Sequence, residues 1–208
     1  MIIFQDNSFT FCILHNPKCG TSSIKEYIIP QIVKKYKIIF NDGNKTIHES
    51  GYDNINYNHC NIKGAITFLR KKDINLDKTI FITTIRNPIQ RVISTYFYEL
   101  KLLNKKFWKY QNRQKDILEF LKWDHIIQFF PKNFRFFKKY KVNEIIKLEN
   151  LKDEFTNLCK KYKLNLDTSG LINEVNKTSH ESIVLNEHIL KLIKNFYIED
   201  FTDGKYEK

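Results

Sequence analysis

The chain has 208 residues and a formal net charge of +12, with 35 lysines and arginines against 23 aspartates and glutamates. This length suits one domain, residues 1–208, that can bury a substantial hydrophobic core. The charge favours an anionic partner, such as a nucleotide, an acidic glycan or a nucleic acid, and does not choose among them.

The four cysteines form no CxxC pair and show no metal-ligand spacing. This spacing argues against a disulfide framework and favours a reducing compartment. No apolar stretch approaches the roughly 20 residues needed to cross a bilayer. We therefore expect a cytoplasmic protein without a membrane span, unless an anchor has been removed from the chain.

The first apolar run, residues 9–14, predicts a buried strand that leads into residues 15–23, HNPKCGTSS. Two serines at the end of this segment are expected to cap a helix that runs to about Tyr36, with a kink at Pro30. A glycine-containing turn and a helix N-terminus can surround a phosphate-sized anion with backbone N–H groups. The segment therefore predicts an anion site.

A short strand at residues 37–40 precedes an Asn-, Asp- and Gly-rich stretch, residues 41–58, which predicts a loop. A helix over residues 61–72 then leads into a second buried strand, residues 78–85. The sequence that follows is RNPIQRVISTYFY, in which the proline suits the start of a helix that extends to about residue 103. Its arginine and serine predict a second anion site at the same edge of the sheet.

The remaining chain predicts further helices within residues 116–139, a strand at 142–148, and helices at 151–162 and 186–197. Strands that alternate with helices predict an α/β fold with three layers, α/β/α, and a mainly parallel sheet.

At its two anion segments the chain resembles the sulfotransferases that use 3′-phosphoadenosine 5′-phosphosulfate (PAPS). The nearest branch is the one that modifies carbohydrates of the heparan and chondroitin type. Its first pattern, His-x-Pro-Lys-x-Gly-Gly-Thr, is matched imperfectly, and Thr21 stands in place of the usual second glycine. Its second pattern, Arg-Asn/Asp-Pro-x-x-Arg-x-x-Ser-x-Tyr, is matched throughout. Shorter similarities at His59 and at residues 148–151, 176–179 and 197–200 extend the resemblance over nearly the whole chain.

The resemblance implies a P-loop-like sulfotransferase fold, PAPS as the cofactor and no requirement for a metal. Lys18 would stabilise the charge left on the leaving phosphate, whereas Arg86 and Ser94 would hold the 3′-phosphate. The cofactor-binding residues that it implies are Pro17, Lys18, Cys19, Gly20, Thr21, Ser22, Ser23, Arg86, Ser94 and Lys177. Cys19 is expected to serve as a small packing residue, and Arg91 is expected to be structural.

The reaction needs a general base that accepts the proton of the acceptor hydroxyl, and histidine suits this near neutral pH. His59 is the first candidate, because the glycan-directed family has a histidine before the corresponding helix. His48 in the same loop and Glu149 are the alternatives. The expected acceptor is a carbohydrate hydroxyl.

Other functions remain open at this point. An ordinary strand-to-helix turn whose serines only cap the helix would explain the first segment equally well. A P-loop kinase or nucleotide hydrolase is disfavoured, because the GxxxxGK[ST] order is absent and the second strand ends in Arg86, not in a metal-binding aspartate. The charge and the segment FFPKNFRFFKKYK, residues 129–141, fit a non-catalytic protein that binds a glycan or, less favoured, a nucleic acid.

Overall fold

The structure is a computed structural model, and it describes residues 1–41, 62–102, 117–118, 120–121, 142–171 and 184–206. These residues belong to two compact units. The first unit lies within Met1–Ile85 and Phe137–Val175, and the second within Arg86–Phe136 and Asn176–Lys208. Each unit has a hydrophobic core of its own. The single domain expected from the length stays a prediction.

The first unit contains a five-stranded sheet with the strand order β3-β1-β2-β4-β5. The strands are β1 (Ile2–Gln5), β2 (Thr10–Ile13), β3 (Lys37–Asn41), β4 (Thr79–Ile85) and β5 (Glu144–Lys147). The pairs β2–β4 and β4–β5 are parallel, whereas β1 is antiparallel to both β2 and β3. The α/β class is therefore confirmed, but the described sheet is mixed, because β1 lies between two strands of the opposite direction.

The helices are α1 (residues 21–35), α2 (Ile62–Lys71), α3 (Pro88–Leu102), α4 (Leu151–Lys161), α5 (Glu187–Phe196) and α6 (Ile198–Asp203). Short 3-10 turns at Leu76–Lys78 and Leu148–Asn150 precede β4 and α4. In the described part of the chain no helix is long and apolar enough to cross a membrane.

Strand β1 was not predicted. It forms a hairpin with β2, and Asp6 closes the turn between them. The Asp6 Oδ1 atom accepts hydrogen bonds from the backbone N–H groups of Ser8 and Phe9, both at 2.7 Å. An aspartate that binds backbone groups two and three residues on is a turn signal. The sequence contains this turn signal, because Asp6 lies between two short apolar runs.

Helices cover both faces of the sheet in the first unit. Successive residues of a strand point to opposite faces. One face carries Phe11 and Ile82, which pack in one core cluster with residues of α1 and α4. The other carries Cys12 and Phe81, which pack with residues of α2.

Helix α1 is irregular around Pro30. It consists of an α-helical turn Thr21–Ser23, a π-helix Ile24–Ile28 and an α-helix Ile29–Lys35. Proline has no N–H to donate to the carbonyl four residues before it. The irregularity expected at Pro30 thus takes the form of a π-helical segment just before it.

The predicted elements agree with the described ones to within about two residues at each end. Asn41, which was assigned to the loop, ends β3 instead. The loop of residues 42–58 and most of the helices predicted within residues 116–139 lie outside the described residues.

The second unit packs α3 against α5 and α6. Its core contains Val92 and Tyr96 of α3, Ile189 and Ile193 of α5, and Phe201 of α6. In α3 and α5 the buried side chains recur at helical spacing, and this spacing predicts these two helices. The short helix α6 was not predicted.

Candidate functional site

The first anion segment crosses the edge of the sheet between β2 and α1. The backbone N–H of Leu14 donates to the carbonyl of Ile82 at 2.8 Å. The side-chain amide of Asn16, which is buried, donates from Nδ2 to the carbonyl of Thr84 at 2.7 Å. Both bonds fasten the start of the segment to the end of β4. No pattern in the sequence indicates this role of Asn16, because its partner Thr84 is distant in the chain.

The backbone of the segment enters the left-handed region twice. Lys18 has φ +62° and Gly20 has φ +80°. Glycine adopts this conformation at no steric cost, whereas a residue with a Cβ atom pays about 1–2 kcal/mol. The surroundings must hold the chain in this conformation at Lys18. Asp73, Lys163 and Lys205 adopt it too, so it does not mark a functional site by itself.

Gly20 is also required by packing. A Cβ atom built at Gly20 would collide with Cδ1 of Leu148. Leu148 begins the 3-10 turn after β5 and is buried. The similarity at residues 148–151 therefore has a structural explanation at its first residue, because Leu148 packs against Gly20.

The start of α1 differs from the expectation in one respect. Ser23 is buried, and its backbone N–H donates to the carbonyl of Gly20 at 3.1 Å. Its Oγ atom has no hydrogen-bond partner among the described residues. The prediction that Ser23 caps the helix is therefore wrong, since a cap accepts a hydrogen bond with its side-chain oxygen. This weakens the alternative that the segment is an ordinary strand-to-helix turn whose serines only cap the helix.

The other residues of the segment vary in exposure. Cys19 is fully buried as a free thiol, which fits a packing role. Pro17 and Lys18 are half-buried, and Ser22 is exposed. Thr21 is the first residue of α1. Cations and hydroxyls on such a segment can interact with an anion from its exposed side.

Helix α1 is held in place by a tail segment, residues 164–171, which follows α4. The Asp167 N–H donates to Gln31 Oε1 at 2.8 Å, and Gln31 Nε2 donates to the Asp167 carbonyl at 2.9 Å. The Tyr27 hydroxyl donates to Asp167 Oδ2 at 2.9 Å. The backbone N–H and hydroxyl of Ser169, followed by the Tyr27 hydroxyl, lower the pKa of Asp167. The tail thereby anchors the helix that carries the anion segment at its N-terminus.

The second anion segment begins immediately after β4, and it belongs to the second unit. Asn87 Oδ1 accepts from the backbone N–H of Ile89 at 3.0 Å, and Pro88 is the first residue of α3. The Asn-Pro pair is thus explained by helix initiation. Arg86 and Ser94 are half-buried, whereas Arg91 is 2% exposed and lies within the unit, as expected for a structural residue.

The remaining predicted residues are not assembled by the described structure. His59, His48 and Lys177 lie outside the described residues. Glu149 is exposed in the 3-10 turn after β5. Glu154 in α4 has a structural role, because its Oε2 atom accepts a hydrogen bond from the Lys147 N–H at 2.7 Å.

The described residues contain no group of three or more His, Cys, Asp or Glu side chains that could hold a metal ion. The second unit has an open surface cavity of about 560 Å³, which contains none of the predicted site residues. Its lining is Glu187, Leu190, Lys191, Lys194, Asn195, Ile198 and Phe201.

Comparison with known proteins adds no relative, since no protein-family model matches the chain and no curated protein matches it significantly.

Proposed function

We propose that the protein is a sulfotransferase that moves the sulfuryl group of PAPS to a hydroxyl, with a carbohydrate as the acceptor. The observation that carries this proposal is the segment between β2 and α1. Lys18 and Gly20 both have positive φ there, and Asn16 fastens the segment to β4. Such a turn ahead of a helix suits the phosphosulfate group of PAPS.

The proposal includes the P-loop-like, three-layer sulfotransferase fold. The helices on both faces of the sheet in the first unit support it. The antiparallel strand β1 would then be an addition that separates β3 from β2.

The proposed reaction is an in-line displacement. The acceptor oxygen forms a bond to sulfur while the bond from sulfur to the 5′-phosphate oxygen breaks. The acceptor proton passes to His59, with His48 and Glu149 as alternative bases. The Lys18 ammonium would neutralise charge that develops on the departing phosphate, which is the role of a positioned cation in group transfer.

Arg86 and Ser94 are proposed to bind the 3′-phosphate, the group that distinguishes PAPS from common adenine nucleotides. The planar guanidinium can donate two charge-assisted hydrogen bonds to one phosphate. Arg86 follows Ile85 directly, at the carboxyl end of β4. Ligands of α/β proteins bind at the carboxyl ends of parallel strands, which supports this assignment.

The activity test measures sulfate transfer from labelled PAPS to a panel of glycans, with Lys18→Ala and Arg86→Ala as variants. We expect each variant to lose at least about tenfold in kcat/KM, because each removes a charged contact to the cofactor. Undiminished transfer by both variants would overturn the mechanism. Thr83→Val serves as a buried control that changes no proposed cofactor contact.

A second candidate is a non-catalytic glycan-binding protein, which the net charge of +12 favours. Such a protein would bind an acidic glycan with a steep salt dependence. It would bind equally well with and without 3′-phosphoadenosine nucleotides. A nucleotide effect on glycan binding would favour the transferase.

A further inference from the structure

Two buried hydroxyls beside the anion segment have no hydrogen-bond partner in the described residues. They are Oγ of Ser23 and Oγ1 of Thr84, and these residues are 3% and 1% exposed. Buried polar groups are almost always paired, so an unpaired hydroxyl calls for an explanation. Thr83 Oγ1 shares this feature, but Ser23 and Thr84 are the two such residues that adjoin the anion segment.

Thr84 and helix α1 lie on the same face of the sheet. Along β4, Ile80 and Ile82 pack in one core cluster with Ile24 of α1. Because side chains alternate along a strand, Thr84 shares that face with Ile80 and Ile82. Ser23 directly precedes Ile24 in the first turn of α1.

Both hydroxyls also lie at the same end of the sheet. The parallel register aligns Ile13 with Ile82, which brings His15 level with Thr84. The Thr84 carbonyl accepts the hydrogen bond of Asn16 at 2.7 Å. Thr84 therefore lies next to the beginning of the segment, and Ser23 is the last residue of the segment.

We propose that Thr84 and Ser23 donate their hydroxyl hydrogens to the anion that the segment binds. Thr84 would then be a binding residue outside both sequence motifs. This inference rests on the proposed function, in which the anion is the 5′-phosphosulfate of PAPS. A neutral hydroxyl can turn toward an anion without adding charge to a buried position, and a hydrogen bond to a charged acceptor is stronger than one to a neutral acceptor.

The test is Thr84→Val, which removes the hydroxyl and keeps the shape of the side chain. Thr83→Val is the matched control, because Thr83 is also 1% exposed and its Oγ1 also has no partner among the described residues. Thr83 points to the opposite face of the sheet, the face of Phe81. Neither change leaves a polar group unpaired, so we expect both variants to fold.

The probes are 3′-phosphoadenosine 5′-phosphate and inorganic pyrophosphate, titrated calorimetrically into the full chain. We expect Thr84→Val to weaken binding of both probes roughly tenfold, and Thr83→Val to stay within about twofold of the unmodified protein. Thr84→Ser, which retains the hydroxyl, should recover most of the affinity. If Thr84→Val does not fold, Ser23→Ala supplies the same comparison.

The outcomes separate the two proposals. Normal nucleotide binding by Thr84→Val, or equal losses in Thr84→Val and Thr83→Val, would overturn the inference and leave the proposed function standing. If Thr84→Val loses pyrophosphate binding but the unmodified protein does not prefer the 3′-phosphorylated nucleotide over AMP, the inference holds and the proposed function fails. Binding of neither probe would overturn both.

Discussion

Gly20 lies so close to Leu148 that a Cβ atom at Gly20 would collide with Leu148 Cδ1. This close contact connects the segment after β2 with the turn after β5. In the sheet, β4 lies between β2 and β5. The residues that follow parallel strands thus pack on one another at a single edge of the first unit. Ligand sites of α/β proteins are commonly built at such an edge.

Gly20→Ala should destabilise the first unit by about 2 kcal/mol or more, through overpacking and the left-handed backbone. The φ of +80° and the collision with Leu148 are separate causes. Urea unfolding of Gly20→Ala, Leu148→Ala and the double variant separates them. We expect the double variant to lose less stability than the sum of the single losses, because removing the Leu148 side chain relieves the collision. Wild-type stability of Gly20→Ala would contradict this account.

Asn16→Ala should lower the free energy of unfolding by about 1–3 kcal/mol, because it leaves the Thr84 carbonyl without its side-chain donor. The same change should weaken nucleotide binding, since the segment loses its attachment to β4. Asn150→Ala is a suitable control, because Asn150 is exposed and donates to Glu154 at 3.3 Å. We expect that control to stay within about 0.5 kcal/mol of the unmodified protein. Equal effects of the two changes in urea unfolding would contradict the assigned role of Asn16.

Asp167 should make a small acid-sensitive contribution to the stability of the first unit, because its side chain is exposed. Donors from Ser169 and Tyr27 lower the pKa of its carboxyl below the ordinary value of 3.8. A carboxyl with a lowered pKa in the folded state contributes stability that is fully present above its unfolded pKa. That contribution is lost as the pH falls from about 3.8 through the folded value.

The measurement for Asp167 is the urea midpoint between pH 6 and pH 2. Asp167→Asn should be less stable than the unmodified protein at pH 6, and the difference should shrink toward pH 2. Tyr27→Phe removes one of the donors and should reproduce part of the effect. A stability difference that is constant over this range would contradict the prediction.

The described cysteines should resist thiol reagents in the folded protein. Cys12 and Cys19 are fully buried, and burial raises the pKa of Cys159 to about 11. At pH 8 about one thousandth of the Cys159 side chains would be thiolate, the reactive form. We expect the Cys60→Ser variant to label only on unfolding in urea. Rapid labelling of its Cys19 in buffer would contradict a packing role.

The sequence predicted the elements well where an apolar run ends at a polar turn, as β4 does before Arg86. It failed for β1, whose run is short and whose pairing depends on the Asp6 turn. It also failed for Ser23, because burial of a hydroxyl follows from packing and not from position in a helix.

The candidate site was predictable only in part. The residue types of the Lys18 segment and their order predict its anion chemistry, and that chemistry stays a prediction. The support of that segment by Asn16 and Leu148 could not be predicted, because their partners Thr84 and Gly20 are far away in the sequence. Such contacts depend on the strand order, which places β4 between β2 and β5 in the sheet.

The most direct test of the proposed function is a calorimetric titration with 3′-phosphoadenosine 5′-phosphate without metal, compared with AMP and with ATP plus magnesium. We predict binding that prefers the 3′-phosphorylated nucleotide over AMP by at least about tenfold, because a bidentate arginine contact to a phosphate is strong. Arg86→Ala should abolish that preference while it leaves AMP binding unchanged. No binding, or a preference for ATP with magnesium, would contradict the account.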